Sequence, residues 1–180
     1  MSTVRGVFGF IALISGLICW TKIDTTLEPK LRKDFDFSPS IVALFYTIQF
    51  FGYLALSPFA HKILDKYDGT ILTIISFYVI GLSCFLVGPS ELMSSFIPNS
   101  IGVMIPGLIF TGFATVFTTI ATYQEMQIPF IEKYGLDNID QDKMGDVLAG
   151  LYNGAYSIGV IIGPFSASYI MIWLDNSFRR

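Results

Sequence analysis

The sequence predicts an all-α membrane protein, one domain over residues 1–180 built from five transmembrane helices. Three observations predict it. Of the 180 residues 53% are hydrophobic and 14% charged, with mean hydropathy +0.62. Soluble domains average about 25% charged residues, so too little charge remains here to cover a globule in water. Five apolar stretches each approach the ~20 residues a helix needs to cross a bilayer. Between them stand breakers and polar runs: Phe37-Ser38-Pro39-Ser40, Asp65-Lys66-Tyr67-Asp68-Gly69, Gly88-Pro89-Ser90-Glu91 and a long segment over 124–146.

The first helix is expected near Val4. It reads apolar to Trp20 and continues amphipathically to about Lys33, because Leu27 and Leu31 keep a four-residue spacing. Arg5 followed by Val7 to Cys19 imitates a signal peptide, but Trp20-Thr21-Lys22 is no small-residue cleavage site, so the segment is kept as a helix. Ser38 can cap and Pro39 suits a first helical turn, which starts a second helix over about 39–64. A nearly uncharged third helix follows over about 70–87, and Met93 to Pro98 reads as interfacial. The fourth is expected over about 100–123, with Pro106, Gly107 and Gly112 placed to bend it or admit a close neighbour. The stretch 124–146 holds six acids (Glu125, Glu132, Asp137, Asp140, Asp142, Asp146) against Lys133 and Lys143, and is expected as a solvated connection. The fifth helix spans about 147–173.

Composition also excludes functions. Net charge is −3 and no basic run suggests nucleic acid. His61 is the one histidine, which removes His-based zinc and triad chemistry, and the spacing of Cys19 and Cys84 argues for neither a disulfide nor a metal site. No nucleophile–base pair, metal cluster or phosphate loop is visible, so the chain is expected to be no enzyme and to carry no cofactor. Lysines and arginines divide almost evenly between the two sides: Arg5, Lys62, Lys66, Lys133 and Lys143 against Lys22, Lys30, Arg32, Lys33, Arg179 and Arg180. The positive-inside rule therefore does not orient the bundle.

The chemistry-bearing residues begin at the end of the first helix. Asp24 and Glu28, at i and i+4, share a face. Two like charges there raise each other's affinity for a proton or an organic cation, and ionisable groups at membrane depth usually face a protein interior or a water path. The alternative is equally physical. Asp24 lies one turn past Trp20, an interface residue type, so both acids can sit among headgroups beside Lys22, Lys30 or Arg32. Gln49, Asn153 and Tyr156 are further candidates for a polar cavity wall, with a plain helix–helix hydrogen bond as the alternative for each. Glu125 is expected to belong to the solvated connection. Gly159 and Gly163, at i and i+4 before Pro164, permit close helix approach followed by a kink.

Four stretches resemble the major facilitator superfamily of transporters. The loop Asp65-Lys66-Tyr67-Asp68-Gly69 resembles the acid–base loop between the second and third helices of each six-helix half. It departs from that pattern: His61 replaces the opening glycine, the glycine is displaced to Gly69, and Thr70 stands where a basic residue is expected. The run Gly159-Val160-Ile161-Ile162-Gly163-Pro164 is similar to the fifth and eleventh helices of that superfamily. Asp24 to Leu31 with Phe37 to Val42 resembles the seventh helix and its exit in the vesicular amine branch, particularly polyamine transporter-like proteins. Tyr123-Gln124-Glu125-Met126 with Leu151 to Gly159 is similar to the tenth and eleventh helices of the same group.

The resemblance implies that the five helices correspond to helices seven to eleven, an incomplete C-terminal half-bundle. It implies secondary active transport of a small solute, a cationic amine exchanged for protons, across an organelle or vesicle membrane rather than the plasma membrane. Asp24 and Glu28 would then exchange the proton, and Asp65 and Lys66 would control a gate. The expected partners are the lipid bilayer, the solute, and a second half-transporter, a homodimer mate or a larger membrane complex. The competing expectation is a non-transporting scaffold subunit or fragment derived from a transporter.

Overall fold

The computed structural model describes residues 2–88, 100–135 and 141–178, with the side chains of 4–88, 100–135 and 141–172. Among the described residues there are five helices: α1 (Ser2–Phe35), α2 (Pro39–Leu64), α3 (Gly69–Val87), α4 (Ile101–Tyr134) and α5 (Gln141–Phe178). All five are long and apolar enough to cross a membrane. Large apolar side chains such as Phe51, Leu54, Tyr78, Phe165 and Tyr169 stand exposed along them, as a lipid-facing surface requires. The expected interfacial segment Met93–Pro98, the break at Pro89-Ser90-Glu91, Asp137, Asp140, Arg179 and Arg180 lie outside the described residues.

α4 is the hub. It packs broadly on α1, α2 and α3, while α5 packs mainly on α1. Half of the most apolar stretch of α4 is buried, against 22–28% for each of the other helices. Its sequence suits that place. Thr111, Thr115, Thr118, Thr119 and Thr122 are all buried, and each hydroxyl donates to a carbonyl one turn earlier in the same helix. Polar side chains that satisfy themselves in this way can enter a membrane interior without leaving an unpaired group.

Glycine sets the closest approaches. A Cβ on Gly112 would stand 2.3 Å from the Gln49 carbonyl oxygen, and one on Gly52 would stand 2.7 Å from that of Ile109. α2 and α4 therefore touch backbone to backbone. Likewise a Cβ on Gly159 would stand 2.5 Å from Leu17 Cβ, and one on Gly163 would overlap Thr21. Thr21 also donates to the Gly159 carbonyl at 3.3 Å. Gly159 and Gly163 are thus the seat of α5 on α1.

The direction of each helix follows from these contacts. α1, α3 and α5 run one way; α2 and α4 run the other. Ile23, Leu27 and Leu31 of α1 form one end of the core with Val42, Phe45, Val87, Met104 and Leu108, and Leu13 and Leu17 meet Met126, Leu148 and Ala155 at the other. Between α1 and α2 the chain turns at Asp36, which takes a left-handed φ of 54°. Its N–H and that of Phe37 donate to the carbonyls of Arg32 and Leu31, closing the helix end.

The segment 124–146 differs from the solvated connection expected of it. α4 continues unbroken to Tyr134 and α5 already begins at Gln141. Met126 and Phe130 extend the apolar spacing of α4 onto α1 and α5, so the helix keeps a packed face beyond the apolar run. Asp142 in the first turn of α5 suits its N-terminal dipole.

Candidate functional site

α3 is the ruler for the site. Its 19 residues measure roughly 28 Å, close to the ~30 Å hydrocarbon thickness of a bilayer. α1, with 34 residues, overshoots it. Lys30 Nζ donates to the Val87 carbonyl at the C-terminal end of α3, at 2.7 Å. The level of Lys30 therefore marks one interface. Glu28 lies half a turn inside that level, and Asp24 lies roughly 9 Å inside it along the helix axis.

The two acids consequently have different surroundings. Glu28 is exposed and pairs with Arg32 at 2.8 Å, an i,i+4 bridge at the headgroup level. Asp24 is half-buried and faces α2. The Gln49 amide, turned so that its NH2 meets the carboxylate, donates to Asp24 Oδ1 at 3.2 Å and accepts from the Trp20 indole N–H. The opposite orientation would set oxygen against oxygen. Tyr46 donates its hydroxyl to the Asp24 backbone carbonyl at 2.8 Å. Trp20 stands edge-on to Phe50, ring centroids 6.0 Å apart.

Packing explains why Gln49 is there. It is 3% exposed, and its carbonyl lies against Gly112, so the close α2–α4 approach fixes its backbone while its side chain crosses to α1. Asp24, Gln49, Trp20 and Tyr46 form one polar cluster between α1 and α2, within the membrane and walled by aromatic rings. Such a cluster can hold a proton on the carboxylate; the gap among Trp20, Gln49, Phe50 and Tyr53 is too small for a ligand in this conformation.

Other expected residues fall elsewhere. Asn153 and Tyr156 are exposed on α5 and do not reach Asp24; it is Tyr152 that packs inward, edge-on to Tyr123 with ring centroids 6.2 Å apart. Asp65 and Lys66 are exposed at the end of α2, and among the described residues neither forms an ion pair. Lys66 instead lies over the ring of Tyr67. Among the described residues no three His, Cys, Asp or Glu side chains come together as metal ligands.

A second polar cluster occupies the opposite interface. Glu125, expected in solvent, is 6% exposed. Arg5 of α1 donates to both its oxygens, Nε at 2.5 Å and Nη2 at 3.0 Å. The Thr70 hydroxyl donates to Glu125 Oε1 at 3.1 Å. Arg5 also stands 3.9 Å from Asp68, whose carboxylate caps α3 by accepting the Thr70 backbone N–H at 2.8 Å. That hydrogen bond, helped by Arg5, holds the Asp68 carboxyl below its ordinary pKa. Gly69 makes room: a Cβ there would stand 2.9 Å from Glu125 Oε1. The acid that answers a helix N-terminus here is thus Asp68, and its basic partner comes from α1. One signal in the sequence could have found the cluster. Thr111, Thr115, Thr118 and Thr122 repeat at helical spacing, and Glu125 continues that stripe by one more step.

No protein-family model, curated protein or solved structure matches this chain.

Proposed function

We propose that the chain is one wall of a secondary active transport pathway that moves a small cationic solute against protons. The observation that carries this reading is Asp24, a carboxylate roughly 9 Å inside the interface, held by Gln49 and bordered by Trp20 and Tyr46. Acidic side chains at that depth are expensive and rarely retained without a functional partner. A proton or an ammonium group supplies the neutralising charge, and exchanging one for the other is antiport. The resemblance of Asp24 to Leu31 to a major facilitator helix supports the same reading.

Within it, Asp24 is the exchanging group and Glu28 a headgroup-level charge. Arg5, Asp68 and Glu125 take the gate role expected of Asp65 and Lys66, since they tie α1, the α2–α3 turn and α4 at one face. Asn153 and Tyr156 face outward on α5, where a second half-transporter or a second copy would complete the path.

Uptake of a radiolabelled organic amine into acid-loaded proteoliposomes tests the proposal. Asp24→Asn is expected to lower pH-driven uptake at least tenfold, and Glu28→Gln to leave it within about twofold. Wild-type rates in Asp24→Asn would remove the role given to Asp24. No uptake by wild-type protein, with recovery only as a minor member of a larger assembly, would favour the scaffold reading.

A further inference from the structure

A groove of about 610 Å³ lies between α1 and α3 at the Lys30 end, away from the Asp24 cluster. Lys22, Lys30 and Lys33 line it, at positions that share one face of α1. Among the described residues Asp34 is the one carboxylate in the lining, set against three lysines. Toward the bilayer centre the lining turns apolar, with Cys19, Ile23 and Cys84. Lys30 is already oriented by the Val87 carbonyl. Among the described residues neither Lys22 nor Lys33 is paired with a carboxylate.

We infer that this groove is a binding site for an anionic phospholipid. The placement sets the chemistry. α3 ends at the interface, so Lys30 and Lys33 stand at phosphate level, while the apolar floor, with Lys22 set in it, stands at the level of the acyl chains. Lys22 lies roughly 12 Å below Lys30 along the helix, farther than its stem can span, so the phosphate falls to Lys30 and Lys33. An amphipathic groove open to the bilayer fits a lipid, which brings both halves in one molecule; a soluble anion would use only the upper half. The site goes beyond the transport reading and does not depend on it.

Native mass spectrometry of the full chain, released from micelles doped with phosphatidylglycerol or phosphatidylcholine, tests the inference. Each lysine near an anionic headgroup is worth roughly fivefold in binding. Wild-type protein is expected to retain phosphatidylglycerol preferentially, and Lys33→Gln to lose that preference by about fivefold. This variant leaves the Lys30–Val87 bond in place, and circular dichroism checks that it folds. Lys62→Gln/Lys66→Gln, at the other end of the bundle, is expected to keep the preference. Equal retention of the two lipids, an unchanged preference in Lys33→Gln, or an equal loss in Lys62→Gln/Lys66→Gln would overturn the site. Displacement of phosphatidylglycerol by millimolar inorganic phosphate would overturn the lipid assignment in favour of a soluble anion.

Discussion

Arg5 and Glu125, 120 residues apart, meet as a two-bonded ion pair that fastens the first turns of α1 to α4. The pair is unequal. The Glu125 side chain is 8% exposed and that of Arg5 38%. Removing the arginine therefore strands a buried carboxylate, whereas removing the carboxylate leaves an arginine that can turn to water and to Asp68. Breaking a buried pair from one side costs about 3–5 kcal/mol, and the exposure of Arg5 places this one at or just below that range. Arg5→Gln is expected to destabilise the folded protein by about 2–3 kcal/mol, Glu125→Gln by about 1 kcal/mol. Reversible unfolding in mixed micelles measures both; equal losses would mean that the pair is effectively solvated.

Glycine positions separate into those that hold a neighbour and those that do not. Gly112 and Gly52 lie where α2 and α4 touch backbone to backbone, while a Cβ on Gly81 or Gly102 would meet nothing within 4 Å. Gly112→Ala must push backbone aside, a change of the overpacking kind that costs about 1–3 kcal/mol. Gly81→Ala is expected to be neutral or stabilising by up to about 1 kcal/mol, because alanine is the better helix former. The same unfolding assay compares the two, and a smaller loss for Gly112→Ala than for Gly81→Ala would contradict the close α2–α4 contact.

Asp68 makes stability depend on pH in a defined direction. Its carboxyl is held below the ordinary value of 3.8, first by the Thr70 N–H and then by Arg5. A depressed carboxylate contributes stability that is present above its unfolded pKa and is lost as pH falls through the folded one. Asp68→Ala removes a helix cap worth about 1 kcal/mol at pH 7. The gap between wild type and variant is expected to close as pH drops below 3.8. Glu125 and Arg5 face the same cluster, but both are present in the two proteins, so the difference between melting curves isolates Asp68. A gap that stays constant down to pH 3 would exclude its charge as the cause.

The bundle was legible because each of its spans writes itself in long apolar runs, and because Ser38-Pro39 and Asp68-Gly69 punctuate them at the ends of α1 and α2. Asp24 and Gln49 could be picked out singly as polar residues among apolar ones. Their contact could not, since it depends on the register that Gly52 and Gly112 impose between α2 and α4. Glu125 misled for a related reason. It opens a run of acids that reads as water-exposed, and only the side chains reaching it from α1 and α3 make its burial affordable. Asp65 and Asp68 differ by three residues in one loop, and which of them meets a helix N-terminus depends on where α3 starts.

The Gln49 contact leads to a contrast with Glu28 that stability alone can read. Glu28 and Arg32 are about half exposed, and a surface i,i+4 pair contributes about 0.3–0.5 kcal/mol. Glu28→Gln is therefore expected to change stability by less than about 0.5 kcal/mol, and added salt to erase what remains. Gln49 is buried and serves two partners at once. Gln49→Leu keeps the volume but leaves the Trp20 indole N–H and an Asp24 oxygen without that partner, each an unmet polar group worth about 1–3 kcal/mol inside a protein. Part of the loss is recoverable, because Asp24 can bind a proton and water can enter beside it. A net destabilisation of about 2 kcal/mol is expected, insensitive to salt, with a blue-shifted Trp20 emission reporting the lost hydrogen bond. Trp173 also emits, so the spectrum is read against a Trp173→Phe background. If Gln49→Leu were as mild and as salt-sensitive as Glu28→Gln, Asp24 would belong to the headgroup region with Glu28.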